Sequence, residues 1–239
     1  MNSEKLRKFK EFLKIDEPIL AVCFTNDLPE KFHYYQDTAC TALARSFKNQ
    51  ETLVFDVKNR PQLCPGANYF LKLAKVSNNE TISTYVNNEH VFKNEKTCRK
   101  FINLLPKFPD HLKNKHVVIK QFKENDEPKI VVMLVNPAQA GRILGLLNYD
   151  KSEEIKILPN QPTCLSFFAP LITNQPHLNL IDYYDRYYQG KINKNYIWPE
   201  EKLIISLTFE QFNKILVNFE KSPQGSFKPN LNPQMVDKI

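Results

Sequence analysis

The sequence predicts a mixed α/β (α+β) fold, a single compact domain over residues 1–220 in which helices flank a mixed sheet. Two observations lead there. Apolar runs of strand length, ILAVCF, HVVIKQF, KIVVMLV and KLIISLTF, are interspersed with segments whose apolar residues recur at helical spacing. In addition, 239 residues with 42% hydrophobic content suffice to bury a real core. No internal repeat or linker divides the chain.

Taken in order, SEKLRKFKEFLKI starts at a capping Ser3 and carries Leu6, Phe9 and Leu13 on one face, which predicts a helix over 4–14. Asp16-Glu17-Pro18 stops it. ILAVCF (19–24) reads as a buried strand containing Cys23. Thr38 can cap a helix through TACTALARSFK, and ETLVFDV (51–57) reads as a second strand that ends in Lys58-Asn59-Arg60-Pro61. In LCPGANYF, Pro65 and Gly66 fit a helix start, placing Cys64 just before its N-terminus. Residues 77–90 are Asn-rich and weakly patterned, so a loop is expected there.

EKTCRKFINLL has Cys98, Phe101, Ile102 and Leu105 on one helical face. HVVIKQF and KIVVMLV, separated by ENDEP, read as a pair of strands, and NPAQAGRILGLLNYD continues from the second straight into a helix with Asn136 as cap and Pro137 at its first position. TCLSFFAPLI is a short helix or an extended apolar segment, and HLNLIDYYDRYYQGK has no clean period. KLIISLTF is a late strand and EQFNKILVNFE a final helix. The tail, 221–239, has three prolines and few apolar residues and is expected to be flexible.

Composition narrows the function classes. No apolar run approaches the roughly 18 residues of a membrane helix, and the N-terminus lacks a secretory signal, so a soluble, cytoplasmic protein without membrane association is expected. The net charge of +7 comes mostly from lysines spread along the chain, with six arginines (Arg7, Arg45, Arg60, Arg99, Arg142, Arg186). That diffuse pattern is not the concentrated stripe of a nucleic-acid binder. There is no GxGxxG, Walker loop, serine nucleophile elbow or HExxH motif. The five cysteines, Cys23, Cys40, Cys64, Cys98 and Cys164, are odd in number and widely spaced, so reduced thiols are expected.

The order of motifs, PILAVCF, LCPGANYF, the LPKFP turn, the paired strands, NPAQAGRILG and TCLSFFAPLI, resembles the DUF169 family of prokaryotic proteins of unassigned function, from about Pro18 to Leu216. The resemblance implies cysteines at the positions of Cys40, Cys64 and Cys164, and all three are present here. It also implies further cysteines in the stretch matching LIDYYDRYYQ, where this chain has Asp182, Tyr183 and Asp185 and no thiol.

Each of the three thiols lies beside an expected helix start, where backbone N–H groups favour a thiolate, whereas Cys23 and Cys98 sit on apolar faces as core residues. If the three converge, they can hold a 4Fe-4S cluster with one open iron, or zinc as the alternative. His33 or His177 could complete a site. Asn136 and Gln139 at a strand end, with Arg142 and Arg186, are candidates for binding a small polar or anionic molecule, and the tyrosine-rich 182–188 stretch could line its pocket. The alternative is a metal-free module binding a small metabolite in the same cleft.

Overall fold

The computed structural model describes residues 3–105, 107–151, 156–160, 162–182, 184–186 and 198–225. Among the described residues eight strands form one mixed sheet. In chain order they are β1 (Leu20–Thr25), β2 (His33–Tyr34), β3 (Leu53–Phe55), β4 (His116–Gln121), β5 (Ile130–Val135), β6 (Leu158–Asn160), β7 (His177–Asn179) and β8 (Leu203–Thr208). Across the sheet the order is β2-β3-β4-β1-β5-β8-β7-β6. Only the outermost pairs, β2 with β3 and β6 with β7, are parallel.

HVVIKQF and KIVVMLV are strands β4 and β5, but they do not pair with each other. Strand β1 lies between them, antiparallel to both. The physical reason lies in its composition: Leu20 and Val22 face one side and Ala21 the other, all fully buried, so a central position is the one that removes both faces from water. ETLVFDV contributes only three residues to β3, because the Asp56 carboxylate turns the chain by accepting the Lys58 and Asn59 N–H groups at 2.8 and 2.7 Å.

Strict alternation along β1, β5 and β8 divides the apolar residues between two layers. Against one face pack α1 (Ser3–Leu13), α6 (Pro137–Asn148) and α8 (Phe209–Phe219), whose core includes Phe9 edge-on to Phe212 and Phe219. Against the other lie α2 (Ala39–Asn49), α3 (Pro65–Phe70), α4 (Asn78–Ser83), α5 (Glu95–Leu104) and the 3₁₀ turn Thr163–Phe167, followed by α7 (Ala169–Thr173). The five cysteines divide between these layers: Cys23 faces the first, whereas Cys40, Cys64, Cys98 and Cys164 belong to the second.

Of residues 77–90, expected as a loop, 78–88 are helical. Ser77 caps α4 by accepting the Glu80 N–H at 3.1 Å, and a π-helical segment, Thr84–Asn88, continues it. Ser77-Asn78-Asn79-Glu80 has the spacing of a capping box, which outweighs the poor helix propensity of its asparagines. The Tyr183 and Tyr187–Tyr188 part of the tyrosine-rich stretch, and residues 226–239 of the expected flexible tail, lie outside the described residues. Among the described residues no helix is long and apolar enough to cross a membrane.

Candidate functional site, a buried three-thiol pocket

Cys40, Cys64 and Cys164 come together. All three line one cavity of about 100 Å³ on the α2/α3 side of the sheet, with Asp37, Tyr85, Glu89, Asp182 and Asp185. Among the described residues lining it there is no lysine, arginine or histidine.

Each thiol is delivered by a local feature that the sequence encodes. Thr38 caps α2 by accepting the Thr41 N–H at 3.2 Å, and Tyr35 bonds the Thr41 hydroxyl at 2.7 Å, which fixes Cys40 in the first turn. Cys64 is itself the residue before α3, with Pro65 at the first helical position, where a missing N–H goes unneeded. Its approach is tied to the approach of α2 through Gln62 N–H to Gln36 O (2.7 Å) and Leu63 N–H to Asp37 O (3.3 Å), and Asn68 Nδ2 donates to Pro61 O at 2.7 Å. Cys164 rides on the 3₁₀ turn. Asn179 secures the entry to that turn through Nδ2 to Pro162 O at 3.2 Å, and Phe167 and Phe168 anchor it against Phe55 and Phe70.

The thiols are electrostatically inequivalent. Hydrogen bonds from Cys164 and Cys40 hold the Cys64 thiol well below its ordinary value despite burial, and the Ala39 and Ala67 N–H groups lower it further. Cys40 and Cys164 are pushed well above their ordinary values, because the hydrogen bond to Cys64 holds their protons and burial adds to the effect. Cys64 is therefore the most acidic of the three, flanked by two thiols that hold their protons more tightly. Next to Cys40, the Asp185 carboxyl is pushed up to about 7 by burial and by Asp182, although Thr163 and Cys40 offer it hydrogen bonds. Burial, with the nearby Asp185 and Cys64, pushes Glu89 up to about 9. At the far end the Tyr85 hydroxyl stands 3.2 Å from the Cys164 sulfur.

A chain of acidic groups thus runs Asp185, Cys40, Cys64, Cys164, Tyr85. The family model for DUF169, described as uncharacterised ArCR, matches residues 8–218. The chain belongs to the DUF169 family. No curated protein and no solved structure matches it. In this DUF169 chain the residues between Ile181 and Arg186, where the resemblance implies thiols, contribute carboxyl groups to the pocket instead, Asp182 and Asp185.

The other candidates lie elsewhere or are engaged by the chain itself. Asn136, Gln139 and Arg142 are on α6, across the sheet from the thiols, so no open iron at the pocket can face Asn136 and Gln139. Asn136 and Gln139 form a reciprocal capping box, with both bonds at 2.8 Å, and the Gln139 amide also donates to Leu13 O and Lys14 O. Arg142 donates to Phe12 O and Gln224 O, and its guanidinium lies 4.4 Å from the Phe12 ring centroid. Arg186 donates to the carbonyls of Leu180, Ile181, Trp198, Pro199 and Lys202, locking the turn that carries Asp182 and Asp185.

His33 is exposed on β2, and His177 is fully buried on β7; neither lines the thiol pocket. Cys23 and Cys98 are pushed up to about 11, chiefly by burial. Asp37, Tyr85 and Glu89 were not foreseen from sequence. The available signal for the latter two was the Ser77–Glu80 cap, which marks the helix carrying them into the pocket.

Proposed function

We propose that this pocket is a metal–thiolate site whose ligands are Cys40, Cys64 and Cys164, in an iron–sulfur or single-ion form. The observation that carries the reading is the convergence of three cysteines from three separate segments on a cavity lined, among the described residues, by acids and no base. Three thiols, one of them made more acidic than the other two, suit a soft cation, whose charge would lower the pKa values of all of them and of Glu89 and Asp185 together.

The donor set fits in chemistry, while its present geometry is that of hydrogen-bonded thiols. Among the described residues no group of three or more His, Cys, Asp or Glu side chains is arranged to hold a metal ion. Loading therefore needs side-chain rotation. Sulfurs sharing one tetrahedral ion stand about 3.8 Å apart, a spacing that follows from metal–sulfur bonds of about 2.3 Å, and thiols in hydrogen-bond contact are close to it. Cysteines sharing a 4Fe-4S cluster stand about 6 to 7 Å apart, so a cluster also needs the pocket to widen. Cys64 contacts both other thiols, and Asp185, which hydrogen-bonds Cys40, offers an oxygen donor to a single ion.

Anaerobic purification followed by iron, sulfide and zinc analysis tests the reading. Stoichiometric metal that is lost when any one of Cys40, Cys64 or Cys164 becomes serine is expected. Protein that stays free of both metals after reconstitution with iron and sulfide, and separately with zinc, overturns it. The hydrogen-bonded arrangement itself favours a second reading, a metal-free pocket in which the Cys64 thiolate receives a small cationic or electrophilic molecule. Its signature is one-to-one modification of Cys64 by such a compound in protein without metal.

A further inference from the structure

Tyr85 is 2% exposed, yet its hydroxyl reaches the Cys164 sulfur at 3.2 Å. Two independent features aim it there. Its backbone belongs to the π-helical segment Thr84–Asn88, and the Tyr85 carbonyl receives the Val91 and Phe92 N–H groups at 2.9 and 3.4 Å, so the segment is pinned on its far side. The second feature is Gly66. A Cβ at that position would stand 2.0 Å from Tyr85 Oη and 2.8 Å from Cζ. Gly66 does not adopt a positive φ, so its backbone conformation makes no demand for glycine; room for the phenol does.

We propose that Tyr85 is a positioning residue of the thiol pocket, its hydroxyl donating to the Cys164 sulfur through the gap that Gly66 leaves open. Of the two groups the phenol hydroxyl is the strong donor and a thiol only a weak one, which makes the hydroxyl the donor of the pair. A hydrogen bond of this kind turns the sulfur toward the cavity and favours its charged form. Gly66 follows Cys64 by two positions, so the motif that supplies one thiol also clears the path to another.

The inference rests on the trio being the functional site, but neither its geometry nor its test requires a metal. In reduced, metal-free protein, the alkylation rate of each cysteine by iodoacetamide is mapped by mass spectrometry. Tyr85→Phe keeps the ring and loses the donor. The Cys164 rate is expected to fall about tenfold, the size of one charge-assisted hydrogen bond, while Cys40 and Cys64 stay within about threefold. Gly66→Ala, which pushes the hydroxyl away, should reproduce that selective fall.

A Tyr85 that only packs would loosen the pocket on mutation and raise all three rates together. That result, or an unchanged Cys164 rate in either folded variant, overturns the proposal. Where Gly66→Ala does not fold, the Tyr85→Phe rates alone decide. Failure of metal reconstitution leaves this rate pattern untouched, so the two readings fail separately.

Discussion

Cys164, on the 3₁₀ turn after β6, hydrogen-bonds Cys64, at the start of α3, inside a pocket that neither segment could form alone. This contact contributes most to stabilising the Cys64 thiolate, and the Cys40 contact comes next.

Cys64 should therefore be the first of the five cysteines to react with a small alkylating reagent at neutral pH, ahead of Cys40 and Cys164, which their hydrogen bonds to Cys64 and burial push up, and of Cys23 and Cys98, which burial pushes up to about 11. Cys164→Ala should slow alkylation of Cys64 more than Cys40→Ala does. Mass-mapped rates for the three proteins check the order.

Glu89 gives the pocket an alkaline weakness. Its folded value is raised from 4.5 to about 9, so its contribution to stability is full below pH 4.5 and is lost as pH rises toward 9. Glu89→Gln copies the neutral carboxyl. Urea midpoints between pH 5 and pH 9 should fall less steeply for the variant than for the wild type, with the two near each other at the acid end.

His177 acts in the opposite direction. Burial lowers it from 6.5 to about 4, and both ring nitrogens lack a hydrogen-bond partner, as does the hydroxyl of Ser206, its neighbour across β7 and β8. The unfolded chain takes up this proton below pH 6.5 and the folded one only near pH 4. Over that window the fold should lose about 3 kcal/mol on this account, a figure that follows from the shift. His177→Leu should flatten the acid limb of a stability–pH curve.

Gln139→Ala removes one side of the α6 capping box and two bonds to the end of α1. A cost of about 2 kcal/mol in urea unfolding is expected. Cysteine reactivity in the thiol pocket, on the other face of the sheet, should stay at the wild-type level.

Much of this was readable in the chain. Apolar runs 19–24, 116–122, 129–135 and 202–209 became strands because β-branched residues buried on both faces admit little else, and Thr38, Pro65 and Asn136 marked helix starts through their own side-chain chemistry. The resemblance pointed to the three cysteines, and folding brought them to one cavity. Partners contributed by tertiary contact were not readable. Nothing local in Gln139 says that its amide will meet the end of α1, and nothing in Arg186 says that five carbonyls will surround it. Strand order was equally hidden, since the eight residues between β4 and β5 suit a hairpin, and only the two-sided apolar character of β1 inserts it between them.

That insertion sets a timetable. Strand β1 is made before its antiparallel neighbours and finds none until β4 and β5 have followed it, more than ninety residues later. The nascent chain must hold an apolar segment and the thiols of Cys23, Cys40, Cys64 and Cys98 unprotected through that interval. Cys64 meets Cys164 only after the 3₁₀ turn has followed β6. Newly made protein should be most vulnerable to oxidation and to association with other chains before this last thiol arrives.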